Sequence, residues 1–516
     1  MSRRTNIVIV GGGLAGMAAA IEALRQTRHT AGITIELLEK EAHTGGNSAK
    51  ASSGISGVLT RTQKNLGIND SIDAFFQDTI KSGRGRSNET LVQRLASESA
   101  SAVFWLQNDF ALDLDVIAQL GGHSFPRTHR RPDANGKPQP VGWGIVSALD
   151  KHLKEQAKKN GSCFRLTTGA RVTKLLSTAG GRVSGIFYES IDPSTNTVVR
   201  HRCKCDVVVL ATGGFGGEGG NPNFLKKYAP QLVGLPATNG PFAAGDGLRL
   251  ATAVGAGLVD MDQIQVHPTG FVQARDPGNP TKFLAAEALR GEGGILLNGL
   301  GKRFVDELGT RDRVTTAITK YCSDENTRAR YTSSDKPSNV TYVEPSTAAA
   351  YLVLSQPVAD SFGHGGLGFY EKMGLMNKAS SVEELATAIR VELTTLNQTL
   401  TDYDKAREGR INDEFGKTAF PQSMLSKGGS GDESFYFWCI VTPSIHYTMG
   451  GLRFDENARV LASSGGQPIP GLLAAGEVTG GLHGANRLGG NSLLECIVYG
   501  RRAGRQAAAE AIEHLL

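Results

Sequence analysis

The chemistry this chain can do is written in two groups of residues with different tastes in charge. The first is cationic and hydrogen-bonding: Gln265-Val-His267-Pro-Thr, Glu287-Ala-Leu-Arg290-Gly, Lys302-Arg303, Thr310-Arg311-Asp312, Thr442-Pro-Ser-Ile-His446 and Asn486-Arg487. A small dianion needs such partners, because a buried carboxylate is costly unless paired. Arginine's planar fork grips a carboxylate with two charge-assisted bonds, and histidine adds one directed donor. Any one of these arginines would pass for a surface charge; the set together points to an anionic ligand. Glu287 and Arg290 stand three apart, on one face if the segment is helical.

The second group is built from glycine. Gly11-x-Gly13-x-x-Gly16 lies between an apolar strand and a helix, where absent side chains close the turn and admit a pyrophosphate to the helix N-terminus. Glu39, at the end of the next strand, is placed to accept ribose hydroxyls. The residues after Glu39 separate FAD from NAD. Gly45-Gly46-Asn47-Ser48 leads into small residues up to Gly54, so backbone can pass close to an extended cofactor. Further glycine-rich returns are Ala211-Thr212-Gly213-Gly214, Gly245-Asp246-Gly247 and Ala475-Gly476-Glu477. Asn491, Ser492 and Leu493 then open the terminal helix, whose N–H groups can stabilise negative charge on a reduced flavin.

These residues need a frame. Residues 6–10 read as a buried parallel strand, followed by helical periodicity from the glycines and a second strand over 33–40, a βαβ unit. Strands are expected at 206–211 and 471–475, and helices at 247–256 and 493–513. The texture changes over 263–447, with scattered aromatics, a single helix expected over 380–406 from a serine N-cap, and an exposed loop over 323–340. The fold class is therefore α/β: an FAD-binding Rossmann-like domain made of 1–262 and 448–516, interrupted by an α+β capping domain at 263–447. Ligand sites form at such junctions, and His267 and His446 lie near the two crossings.

Composition narrows the class. At 516 residues the chain is long for one core, and its 65 glycines cluster at apolar runs instead of forming a low-complexity tract. A net charge of +5 with both signs interleaved does not point to nucleic acid. The six cysteines include no CxxC pair, so no iron–sulfur cluster, c-type haem or disulfide framework is expected, and no metal site. Two arginines run straight into the first strand, which leaves no room for a signal peptide. No apolar run reaches the roughly 18 residues needed to span a bilayer. A cytoplasmic monomer without membrane or nucleic-acid partners is expected.

Over nearly its whole length the chain resembles the flavoprotein family of fumarate reductases and succinate dehydrogenases, most closely its soluble eukaryotic-type fumarate reductases. The resemblance implies FAD held by Gly11, Gly13, Leu14, Ala15, Gly16, Glu39, Lys40, Gly46, Asn47, Ser48, Ser53, Gly54, the backbone at Val172, Ala211, Thr212, Gly213, Asp246, Glu477, Asn491, Ser492 and Leu493. Members that bind FAD covalently use a histidine in the stretch matching 45–55, where this chain has none, so non-covalent FAD is implied; His43 lies just upstream. The resemblance also implies that His267, His446 and Arg487 hold the carboxylates of fumarate, with Gly54 and Gly490 approaching through backbone. Glu287, itself among the substrate-site residues, then relays a proton with Arg290 to Arg311, which delivers it. Electrons come from a diffusible donor such as reduced flavin.

Two features depart from that pattern or add to it. Ala286 stands where bacterial members carry a hydroxyl residue, which removes one hydrogen bond from a substrate carboxylate. Gly121-Gly122-His123-Ser124-Phe-Pro-Arg127-Thr-His129-Arg130 resembles the eukaryotic-type members without an assigned role. Other readings are reduction of another unsaturated acid such as urocanate, and ketosteroid dehydrogenation, against which the paired histidines and Arg487 argue. An NAD-dependent dehydrogenase rests only on the first βαβ unit. A non-catalytic flavin-binding module would have no use for the His, Glu and Arg set.

Overall fold

The computed structural model describes residues 4–132, 134, 139–217, 222–331, 348–425 and 435–515. Its central sheet has six strands in the order Arg459–Leu461, Pro468–Ala474, Val207–Leu210, Thr5–Val10, Ile33–Leu38, Phe164–Thr167. All pairings are parallel except that of the Arg459–Leu461 edge. The inner strands are covered on both faces, which is why they read as unbroken apolar runs instead of alternating. The Leu14–Thr27 helix and the 25-residue Asn491–Leu515 helix pack closely, Gly500 against Ala15 and Ala18 and Gly504 against Ala19, where a Cβ on either glycine would fall within 2.5 Å of a backbone carbonyl oxygen. At the turn between the first strand and helix, Gly11 has φ +108°, and a Cβ there would fall 2.3 Å from the Ala211 carbonyl oxygen. Only glycine fits that crossing.

A second sheet, with its own buried cluster, pairs Ile264–Val272, Tyr436–Thr448, Ala350–Ser355 and Ile295–Leu297 in that order, and Asn377–Ala379 joins the Tyr436–Thr448 strand. Its two longest strands, paired antiparallel, carry His267 and His446. Two three-stranded antiparallel sheets are formed by Arg171–Ser177, Val183–Ile191 and Val198–Lys204, and by Ile55–Ser56, Thr128–Arg130 and Val116–Ala118. Among the described residues no helix is long and apolar enough to cross a membrane.

The expected helix over 380–406 is two helices, Val382–Ile389 and Leu393–Arg407, broken where Arg390 takes φ 55°. Ser381 caps the first, its hydroxyl accepting from the Glu384 N–H. Both helices turn apolar residues (Leu385, Ile389, Leu396, Leu400) to the same core, so the periodicity runs through a break that no glycine or proline announces. Of the expected loop at 323–340, residues 323–331 contain no helix or strand, and the remainder lies outside the described residues.

Candidate active site

At the dinucleotide end, the Glu39 carboxylate accepts the Gly12 N–H at 2.6 Å and the Glu41 N–H at 2.8 Å. Burial pushes its carboxyl up against those bonds. A Cβ at Gly13 or Gly213 would meet no atom within 4 Å, so the mouth of the glycine turn is open at the N-terminus of the Leu14–Thr27 helix. Asn47 is fixed by Asn239 Oδ1 at 2.8 Å and by the Gly240 N–H at 3.0 Å. Lys40 Nζ donates to Asp246 Oδ2 and to the Phe242 carbonyl, both at 2.6 Å; Asp246 also pairs with Arg249. Val172 is buried in the Arg171–Ser177 strand, and Ser53 is half-buried. Farther along, Glu477 Oε1 accepts the Thr448 N–H at 2.9 Å, and burial pushes this carboxyl up to about 7. Asn491 is fully buried at the start of the terminal helix, with neither amide atom hydrogen-bonded among the described residues. An open glycine mouth at one end and unsatisfied buried polar groups at the other fit a long, polar, planar cofactor such as FAD.

The cationic residues converge. Arg311, at the start of the Arg311–Tyr321 helix, donates from Nε and Nη2 to Glu287 Oε2 at 2.9 and 2.6 Å. Its Nη1 donates to Gln265 Oε1 at 2.8 Å, and the same oxygen accepts Arg487 Nη2 at 3.1 Å. Gln265 is held in turn by donating to Asn486 Oδ1 and the Arg487 carbonyl. Glu287 lies just before the short Ala288–Gly291 helix, and Arg290 on that turn donates to the Glu307 carbonyl at 2.5 Å. Burial alone would raise the Glu287 carboxyl; the Arg311 and Arg290 charges and its hydrogen bonds reverse that and hold it down to about 2.

The two histidines sit ring to ring, centroids 5.1 Å apart and edge to face. His267 Nδ1 accepts the Thr269 N–H at 3.2 Å, so its proton is on Nε2, a buried donor without a protein partner among the described residues. His446 Nδ1 contacts Thr238 Oγ1 at 2.7 Å. Burial and the Arg311 charge push both imidazoles well below their usual range, with further contributions from Arg487. Burial, then Arg311, brings Arg487 down to about 10. Arg487 Nε and Arg290 Nε and Nη2 are further buried donors without a hydrogen-bond partner among the described residues.

Part of the sequence-derived cationic set goes elsewhere. Arg303 pairs with Glu307 and Asp413 at 2.8 and 2.6 Å, Asp312 pairs with Arg84, Lys302 is exposed, and Thr442 donates to the Ala348 carbonyl. Proximity in sequence to Arg311 misled, because the 300–310 loop turns Arg303 away from Arg311. Conversely, the bridging role of Gln265 was not foreseen. It stands two positions from His267 on one strand and hence on the same face, which was the available signal. The Gly121 N–H on Glu287 and the Tyr447 ring under the Arg487 guanidinium, 4.4 Å from its centre, had none.

The FAD binding domain family matches residues 6–493. The chain belongs to this family. It is 41% identical to Fumarate reductase 1 of Saccharomyces cerevisiae over 508 residues, covering 97% of this chain and 98% of that one. It is 37% identical to the fumarate reductase of Schizosaccharomyces pombe, covering 100% and 91%. Among solved structures, the open conformation of a flavocytochrome c3 fumarate reductase superposes with a TM-score of 0.72 at 30% identity, over 99% of this chain and 79% of that chain. This family member is an FAD-dependent oxidoreductase, and FAD is its cofactor.

Proposed function

We propose that this flavoenzyme reduces the carbon–carbon double bond of fumarate to give succinate. The observation that carries the reading is the charge balance of the site. Arg290, Arg311 and Arg487 are all buried, and among the described residues Glu287 forms an ion pair only with Arg311. Among the described residues no carboxylate lies within ion-pair distance of Arg290 or Arg487. Uncompensated buried charge is expensive, and a dicarboxylate supplies what is missing. The yeast and fission-yeast relatives, both fumarate reductases by name, support the same choice of substrate.

In this reading Arg487, His446 and His267 Nε2–H grip the two carboxylates, Gly54 and Gly490 contribute backbone, and Gln265 keeps Arg487 and Arg311 in register. Reduced FAD, when bound, supplies the hydride to one alkene carbon. Arg311 gives a proton to the other. Arginine is a weak acid with a pKa near 12 or above, so it serves only a strongly basic carbon and only if it is reprotonated. Glu287, bonded to it at two points, relays the proton: once Arg311 is neutral, its charge no longer holds Glu287 ionised, so the carboxylate takes a proton from Arg290 and passes it to Arg311. Arg290 is reprotonated in turn, with water as the ultimate proton source. Ala286 contributes only a methyl group beside Glu287, so one carboxylate has one hydrogen bond fewer.

The further parts of the proposal are a capping domain over 263–447 that closes on the flavin body of 1–262 and 448–516, non-covalent FAD, a diffusible reduced flavin as electron donor, and a cytoplasmic monomer. The exposed position of His43 supports non-covalent binding. The experiment is anaerobic oxidation of reduced viologen by fumarate, urocanate and crotonate in parallel. Fumarate is expected to be turned over fastest; a protein that binds FAD but reduces urocanate faster than fumarate, or reduces none of the three acids, overturns the assignment.

A further inference from the structure

The 121–130 stretch has no part in the proposed mechanism, yet it meets the site twice. The Gly121 N–H donates to Glu287 Oε1 at 3.2 Å, the oxygen that Arg311 does not use. Two residues on, buried His123 places Nε2 2.9 Å from the Gly489 carbonyl oxygen. A carbonyl only accepts, so Nε2 carries the proton. The other ring nitrogen agrees, since Nδ1 lies 3.3 Å from Arg127 Nη1 and a guanidinium only donates. Burial and the Arg127 charge hold the ring down to about 4, so it stays neutral. Arg127 is itself immobile: fully buried, it donates to Asp70 at 2.9 and 2.8 Å and to Asp78 at 2.7 Å, with its guanidinium over the Phe75 ring.

The consequence falls on the other side of the peptide. In a trans peptide the C=O of residue 489 and the N–H of residue 490 point in opposite directions, and no cis bond occurs among the described residues. With Gly489 O taken by His123 Nε2 and by Ser56 Oγ at 3.2 Å, the Gly490 N–H is turned away from both. This peptide borders the reaction site, since a Cβ built on Gly489 would fall 3.5 Å from Arg311 Nη2. Gly490 takes φ +79°, and a Cβ there would fall 2.4 Å from Ser56 Oγ, so the position admits only glycine.

We infer that His123 is a positioning residue that fixes the Gly489–Gly490 peptide and thereby aims the Gly490 N–H at a substrate carboxylate. The inference rests on the dicarboxylate reading. A misaimed donor loses roughly one net hydrogen bond, which corresponds to about a 3- to 10-fold weaker complex.

The test is titration calorimetry of fumarate into the oxidised, FAD-replete protein, where no turnover occurs, together with KM, kcat, FAD content and melting temperature. His123→Leu is expected to raise the Kd about 3- to 10-fold, and His123→Gln, whose amide can still donate to the carbonyl, to return it to within about twofold of wild type. A structural role alone would lower the melting temperature yet leave the Kd of the folded, FAD-replete fraction unchanged, and that result overturns the inference. If His123→Leu does not fold, Ser56→Ala strips the second donor from the same carbonyl without touching Arg127; a weaker complex supports the inference and an unchanged one overturns it. A wild-type protein that binds FAD and no fumarate overturns the dicarboxylate reading, and this inference with it; normal wild-type binding with insensitive variants overturns this inference alone.

Discussion

Replacing Arg311 by alanine removes both the proposed acid and the main partner of a buried carboxylate, and the two losses can be separated. Glu287 is held from its ordinary 4.5 to about 2. At ~1.4 kcal/mol per pH unit this corresponds to ~3 kcal/mol of folded-state stabilisation, in line with the 3–5 kcal/mol typical of breaking a buried pair. Because the folded value is depressed, that stabilisation is present above pH 4.5 and is lost as pH falls toward 2. Arg311→Ala should therefore lower the melting temperature at pH 7 and flatten its fall in acid. Loss of a general acid lowers turnover about 10²- to 10⁴-fold. Adding Glu287→Gln to Arg311→Ala removes the stranded charge, so part of the stability should return while turnover does not. The assay is steady-state fumarate reduction by FAD-replete variants alongside thermal melts from pH 3 to 8. Arg311→Ala retaining more than roughly a tenth of wild-type turnover, or a double variant that regains activity with stability, would refute the assignment of the proton to Arg311.

Arg487→Ala and His446→Ala should each raise KM for fumarate and lower kcat, because the grip that binds the acid also orients its double bond, while FAD content measured by absorbance stays near one per chain. Crotonate should be reduced far more slowly than fumarate, since a missing carboxylate leaves a desolvated cation unpaired at about 2–5 kcal/mol; comparable kcat/KM for the two acids would contradict the two-carboxylate site. Acid precipitation should leave all the yellow colour in the supernatant, and flavin retained in the pellet would move suspicion to His43.

The strand, glycine turn and helix at the N-terminus were legible because each is specified locally: β-branched apolar residues fill a strand covered on both faces, and Gly11 sits where no side chain fits. The order of the glycine returns is likewise a linear property, and so is the absence of a histidine in 45–55. The break at Arg390 was not legible, because a residue driven into a left-handed conformation by packing leaves no mark in a continuous apolar pattern.

For the site, residue types gave a cationic set that pointed to an anionic ligand, and the family resemblance picked His267, Glu287, Arg290, Arg311, His446 and Arg487 out of it. Tertiary structure decided which of them share an atom. Gln265 Oε1 joins Arg311 to Arg487 across 222 positions separating Gln265 from Arg487, while Arg303, only eight residues from Arg311 in sequence, turns to Glu307 and Asp413. The direction of a peptide N–H such as that of Gly490 is set by what its neighbouring carbonyl bonds to, and here that partner, His123, comes from 366 positions away from Gly489. Sequence fixes which groups exist and what charge they carry; long-range packing alone sets their distances and orientations, and both hydrogen bonding and proton transfer depend on those.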